Sequence, residues 1–277
     1  GGTNEDRITV YAPYGKAKTY GTSFAAPWIT RKMAFLIYKM GQTREVAKAL
    51  LIDSAAGWKK TLLASKIAGY GIVPKDITKI IQSEDDEIRF VISDISELFD
   101  TYNFNIPIPV YQDTQPFIAK ATLCYFPRCA RNQGVDYTET ELDLHFGRIK
   151  DDSIKQINNN IQNDEGMHFL KEGRARQLYR KWDNIKLVGE ELKDSPRARK
   201  VYGDGRWGIS LKTKERLNYD KRPINFGLVI TLKELNGQNR LSEFIHLCSL
   251  RGWLVNRINI ENQIDVFNKA EQDVEFE

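Results

Sequence analysis

Gly21-Thr22-Ser23-Phe24-Ala25-Ala26-Pro27 joins a short apolar run, Ile8 to Pro13, to a long one, Phe24 to Met40. How this junction is read decides the fold expected of the first third of the chain. Gly21 has no side chain, so the backbone can turn sharply there and another backbone can approach it closely. A helix opening at Thr22 would place Ser23 in its first turn, where unsatisfied N–H groups and the helix dipole favour negative charge. Ala25 and Ala26 would let such a helix pack tightly, and Pro27 is expected within the first turn, where its missing N–H is least costly. An ordinary Thr or Ser N-cap opening a core helix would use the same residue types.

The neighbours narrow the choice. Ile8-Thr9-Val10-Tyr11-Ala12-Pro13 reads as a buried strand running into a Pro/Gly turn, and Phe24 to Met40 as a helix buried in an α/β domain, stopped by Gly41. Thr43 is placed to cap a second helix reaching about Ala56, with Val46, Ala47, Leu50 and Leu51 as its inner face. A last short helix is expected over Ile77 to Ile81, after the turn Gly69-Tyr70-Gly71-Ile72-Val73-Pro74.

In this order and spacing, residues 7 to 82 resemble the C-terminal part of the catalytic domain of subtilisin-like serine proteases, the subtilases. Gly21 to Pro27 matches the G-T-S-x-[SA]-x-P signature around the nucleophilic serine of that family. Tyr14, inserted between Pro13 and Gly15, departs from its A-P-G loop. The resemblance implies Ser23 as the catalytic nucleophile of peptide-bond hydrolysis through an acyl-enzyme, with Gly21 and Thr22 in the substrate-binding and oxyanion region. It implies no metal and no cofactor.

A serine hydroxyl needs a base to take its proton and a third group to orient that base. The three histidines, His145, His168 and His246, all follow the serine, and none stands in the H-G-T setting of the subtilase base. His145 alternates with apolar residues in a strand-like run, and all three read as packing or surface residues. Asp53 superficially matches D-S-G, but it falls in the helix after the serine and is rejected as catalytic. The resemblance therefore implies that the triad aspartate and histidine, with the oxyanion asparagine, lie on an N-terminal part of the catalytic domain outside this sequence. That part and a peptide or protein substrate are the expected partners.

A chain of 277 residues suits two domains better than one, since domains commonly run to roughly 100–200 residues. The acidic run Gln82-Ser83-Glu84-Asp85-Asp86-Glu87 marks the expected boundary, giving 1–82 as an α/β fragment and 83–277 as a mostly β accessory domain. Ile88 to Ile95, Asn103 to Tyr111, Phe117 to Phe126, Thr138 to Phe146, Trp207 to Thr213, Phe226 to Leu232 and Trp253 to Ile260 alternate or are rich in β-branched and aromatic residues. Such a series predicts an antiparallel β-sandwich or jelly roll. Pro107 and Pro109 would put their strand at an edge. Proprotein convertases, among the subtilases, carry a β-rich domain in a similar position.

About Asp152 to Lys200 is a basic stretch with few apolar anchors, expected to be an insertion between strands, part helix and part loop. Its interspersed acids and the mild net charge of +4 favour a solvated surface over a nucleic-acid interface. No stretch is long and apolar enough to span a membrane. Three cysteines without C-x-x-C spacing suggest reduced thiols and lean toward an intracellular compartment, the bacterial cytoplasm. Two readings of different class follow: a serine endopeptidase acting through Ser23, or a non-catalytic β-sandwich binding or stabilising module attached to a protease remnant.

Overall fold

Strands β3 (Glu87–Ser96), β5 (Phe117–Tyr125), β8 (Ile185–Leu192) and β10 (Ile224–Glu234) form one antiparallel sheet in the order β3-β10-β5-β8. Strands β4 (Thr101–Pro107), β6 (Thr140–Lys150), β7 (Ser153–Gln156) and β9 (Arg206–Glu215) form a second, in the order β4-β9-β6-β7. This computed structural model describes residues 7–55, 69–96, 101–107, 117–129, 138–150, 153–157, 183–192, 206–215, 223–235, 237 and 241–250. The protein is mostly β, with antiparallel sheets.

The strand pairings nest. β3 pairs with β10, β4 with β9, β5 with β8 and β6 with β7, all antiparallel, as in a single ribbon whose tip is the β6–β7 hairpin. The further pairs β5–β10 and β6–β9 form when that ribbon is rolled on itself. Period-two alternation decides which side chains face inward. From the first sheet Phe90, Leu123, Phe226, Leu228 and Ile230 meet Leu142, Leu144, Phe146, Trp207, Ile209 and Leu211 of the second in one buried cluster. Trp207 sits between Phe117 and Phe146, with ring centroids 5.6 and 5.3 Å away. Helix α4 (Leu241–Leu250) adds Phe244, edge-on to Phe90 at 6.0 Å, and the buried Cys248.

The first sheet is covered on its other face too. Helix α2 (Arg44–Asp53) lies across β10 and β5, which makes both strands buried along most of their length. Leu36, Val46, Leu50, Ile77 and Ile80 share a second apolar cluster with Cys124 of β5 and Val229 of β10. The expected inner face of α2 is buried in full, and Thr43 caps it by accepting a hydrogen bond from Val46 N at 3.3 Å. Gly41 ends the preceding helical stretch with φ +67°, and helix α3 (Thr78–Ile81) falls where the last short helix is expected.

Other expectations are corrected. Ile8–Ala12 is β1 of an antiparallel hairpin with β2 (Gly15–Thr19), and its burial runs from partial to none, so it is not a buried strand. Helix α1 (Thr22–Ala34) is not buried either. Lys32 is its one buried residue, and Phe24 and Ile29 are exposed; a wider π-helical turn, Phe35–Lys39, follows it. Both segments are apolar in sequence yet largely open to solvent. Pro27 is the sixth residue of α1 rather than part of its first turn. Within the basic stretch, the described residues include strands β7 and β8. His168 and the run Trp253 to Ile260 lie outside the described residues. β4 is an edge strand with Pro107 at its end, as its proline requires; Pro109 lies outside the described residues.

Candidate functional site

Ser23 is the second residue of α1 and is exposed. Gly21 precedes the helix in an extended conformation, and no side chain caps that end. The carbonyl of Gly21 accepts from Phe24 N at 3.1 Å and from Ala25 N at 3.3 Å. The N–H groups of Thr22 and Ser23 lie ahead of these first helical bonds, so they are directed toward whatever occupies the helix end. At the other side, Pro27 supplies no N–H to the Ser23 carbonyl, which loosens the helix one turn in.

No side chain among the described residues hydrogen-bonds the Ser23 hydroxyl. His145 sits on β6 in register with Ser210 of β9, and His246 is exposed on α4, so the structure brings neither into hydrogen-bonding reach of the serine. The site as described holds a nucleophile-type hydroxyl beside free N–H donors and lacks a base. Such a set can stabilise developing negative charge but cannot by itself deprotonate the serine.

Apolar side chains are exposed along the same N-terminal segments. Tyr11 is 67% and Tyr38 82% exposed, with Tyr14, Tyr20, Phe24, Ile29 and Ile72 also open to solvent. Gly21 and Thr22 share this exposed or half-exposed setting. The far end of α1 is tied down: Lys32, almost fully buried, donates to the carbonyl of Lys75 before α3.

Asp53 has a structural task. It ends α2 with its carboxylate buried on the outer face of the first sheet, where Thr122 Oγ1 donates to Oδ1 at 2.9 Å and Thr231 Oγ1 to Oδ2 at 2.6 Å. Lys120 Nζ lies 3.3 Å from Oδ1 and also donates to the Asp53 carbonyl. Every carboxylate oxygen is thereby engaged, and no room is left for a triad role. Cys124, buried beneath the same helix, has its thiol pushed up to about 12 by burial, which leaves it protonated and inert. Cys129 is exposed and Cys248 buried, all three as free thiols.

Sequence reasoning missed one polar feature. Lys186 of β8 and Glu141 of β6, both almost fully buried, pair at 2.6 Å and join the two sheets. Beside them Tyr125 donates to the Asp183 carbonyl at 2.8 Å, and burial, with the nearby Glu141, holds its hydroxyl well above the usual range. A lysine beside the apolar Ile185, Leu187 and Val188 was the available signal.

No protein-family model matches the chain, and no curated protein is significantly similar to it. Among the described residues no helix is long and apolar enough to cross a membrane.

Proposed function

We propose that this chain carries the nucleophile of a serine endopeptidase of the subtilase kind, with Ser23 attacking the peptide carbonyl. The observation that carries the reading is the setting of Ser23: an exposed hydroxyl in the first turn of α1 with no hydrogen bond among the described residues, preceded by Gly21 and flanked by N–H groups that none of those residues occupies. The triad aspartate and histidine and the oxyanion asparagine come from an N-terminal part of the catalytic domain outside this sequence. The exposed apolar side chains of β1, α1 and the turn after it are the surface which that part would cover.

In this reading residues 1–82 are the α/β fragment and 83–277 the accessory domain, a jelly roll. Its nested pairings and two facing sheets support that name. The accessory domain acts on the catalytic part through α2, which it holds by the Asp53 network. The same observation favours a second reading, in which the β unit is a stabilising module and the protease-like piece is catalytically idle.

The deciding experiment uses a longer protein that includes the upstream partners. Ser23→Ala should lower peptide cleavage by on the order of 10⁴- to 10⁶-fold, whereas replacing His145 or His246 leaves the rate unchanged. Cleavage at the original rate by the Ser23→Ala protein would refute the reading.

A further inference from the structure

A cleft of about 190 Å³ opens where the start of α2 meets the segments that lead out of β5, into β6 and into β10. It is smaller than the roughly 300–1,000 Å³ of sites for drug-sized ligands, which limits an occupant to a few heavy atoms beyond a single functional group. Its walls carry charges of both signs.

Glu139 supplies the negative side. Its Oε2 is shut off from solvent and accepts no hydrogen bond, and no group among the described residues pairs with the carboxylate. A buried carboxyl oxygen left without a donor favours a ligand that brings one, above all a cationic one. Arg44 and Arg128 supply the positive side. Arg44 uses Nε on the buried Glu45 carboxylate at 2.7 Å and rests its guanidinium 4.8 Å from the centre of the Phe126 ring. Held in these two ways, it lines the cleft with its two terminal amino groups making no hydrogen bond to the described residues. That planar fork matches a carboxylate. Asn225 adds an exposed amide, and the Phe126 ring an apolar wall.

The combination excludes simpler ligands. A phosphomonoester dianion would confront Glu139 with no proton to offer it, and a simple cation would confront two guanidinium groups. We propose that this cleft binds a small zwitterion of the α-amino-acid type, its carboxylate on Arg44 and Arg128, its ammonium on Glu139 and its side chain along Phe126. The inference does not depend on Ser23 being catalytic.

Calorimetric titration of the full chain with L-leucine, N-acetyl-L-leucine and L-leucinamide tests it. Leucine should bind at one site, and loss of the ammonium or of the carboxylate should each weaken binding at least about tenfold. Glu139→Gln and Arg128→Gln should each weaken leucine binding to a similar extent and abolish the rise in unfolding temperature that leucine gives the unsubstituted chain. Absence of leucine binding up to about 20 mM, or equal binding of the three compounds, would overturn the proposal without recourse to any variant.

Discussion

Gly227 of β10 lies directly beneath Val46 of α2, so close that a methyl group on the glycine would stand 2.4 Å from Val46 N and 2.7 Å from its Cα. Backbone touches backbone at this point. The helix that follows the serine segment is seated on the sheet where β10 has no side chain, at one of the β10 positions that face away from the core between the sheets.

Gly227→Ala should therefore lift the first turn of α2 and destabilise the protein by about 1–3 kcal/mol, because the obstacle is main chain and cannot rotate aside. Urea unfolding would measure it. Gly237→Ala is the contrast: nothing lies near its Cβ, but its φ of +65° strains any larger residue, so its effect would come from the backbone alone.

Particular residues decide how much of this was legible. Thr43, the apolar stripe of α2 and the alternating runs of β3, β5, β9 and β10 each announce their structure, because local pattern and tertiary packing agree there. β8 was hidden in a basic stretch since its inward positions include Lys186, whose burial depends on Glu141 more than forty residues earlier. β1 and α1 misled in the opposite direction, being apolar in sequence yet exposed. Periodicity records what a segment is built to bury and is silent about where the cover comes from. For the candidate site, the signature around Ser23 and the lack of a histidine in an H-G-T setting were both readable, whereas the openness of the helix end that carries the serine was not.

The Asp53 network fastens the other end of α2. Removing one member of a buried ion pair leaves the other desolvated and uncompensated, which costs about 3–5 kcal/mol. Asp53→Ala should reach that range and Lys120→Met should approach it, whereas the double variant Asp53→Leu, Lys120→Met should recover much of the loss. A cycle in which the two single losses simply add would mean that the residues do not act on each other.

Two glutamates near the start of β3 should give opposite pH signatures. Burial is the main cause that raises the Glu87 carboxyl above its ordinary range, opposed by Arg89, whose Nε lies 2.6 Å from Oε1 in an ion pair poorly angled for a hydrogen bond. Asp53 raises it further, while Lys120 and Lys233 act against the rise. Its stabilising contribution is present below the unfolded value of about 4.3 and is lost as pH rises through the higher folded value. Glu84 is lowered, chiefly by its hydrogen bond from Lys233, so its contribution is present above about 4.3 and lost as pH falls through the lower folded value. Relative to the unsubstituted protein, Glu87→Gln should gain stability as pH is raised from acid toward neutral, and Glu84→Gln should lose it. Denaturation midpoints across that range would read both trends. Parallel trends for the two variants would contradict the assignment.

Ser23 offers a last test on the chain by itself. Its hydroxyl makes no hydrogen bond within the described residues, and neither His145 nor His246 reaches it, so no described residue raises its nucleophilicity above that of an ordinary alcohol. A fluorophosphonate probe reports this directly, because it labels a serine only when a base withdraws the proton as attack begins. The isolated chain should remain unlabelled under conditions that label an active serine protease to completion. Adding the N-terminal part of the catalytic domain should restore labelling, confined to Ser23 and abolished by Ser23→Ala. Rapid labelling of Ser23 in the isolated chain would mean that a base within these 277 residues serves it. Failure to label after the upstream part is supplied and folded would favour the idle-remnant reading, with the β unit as the functional portion.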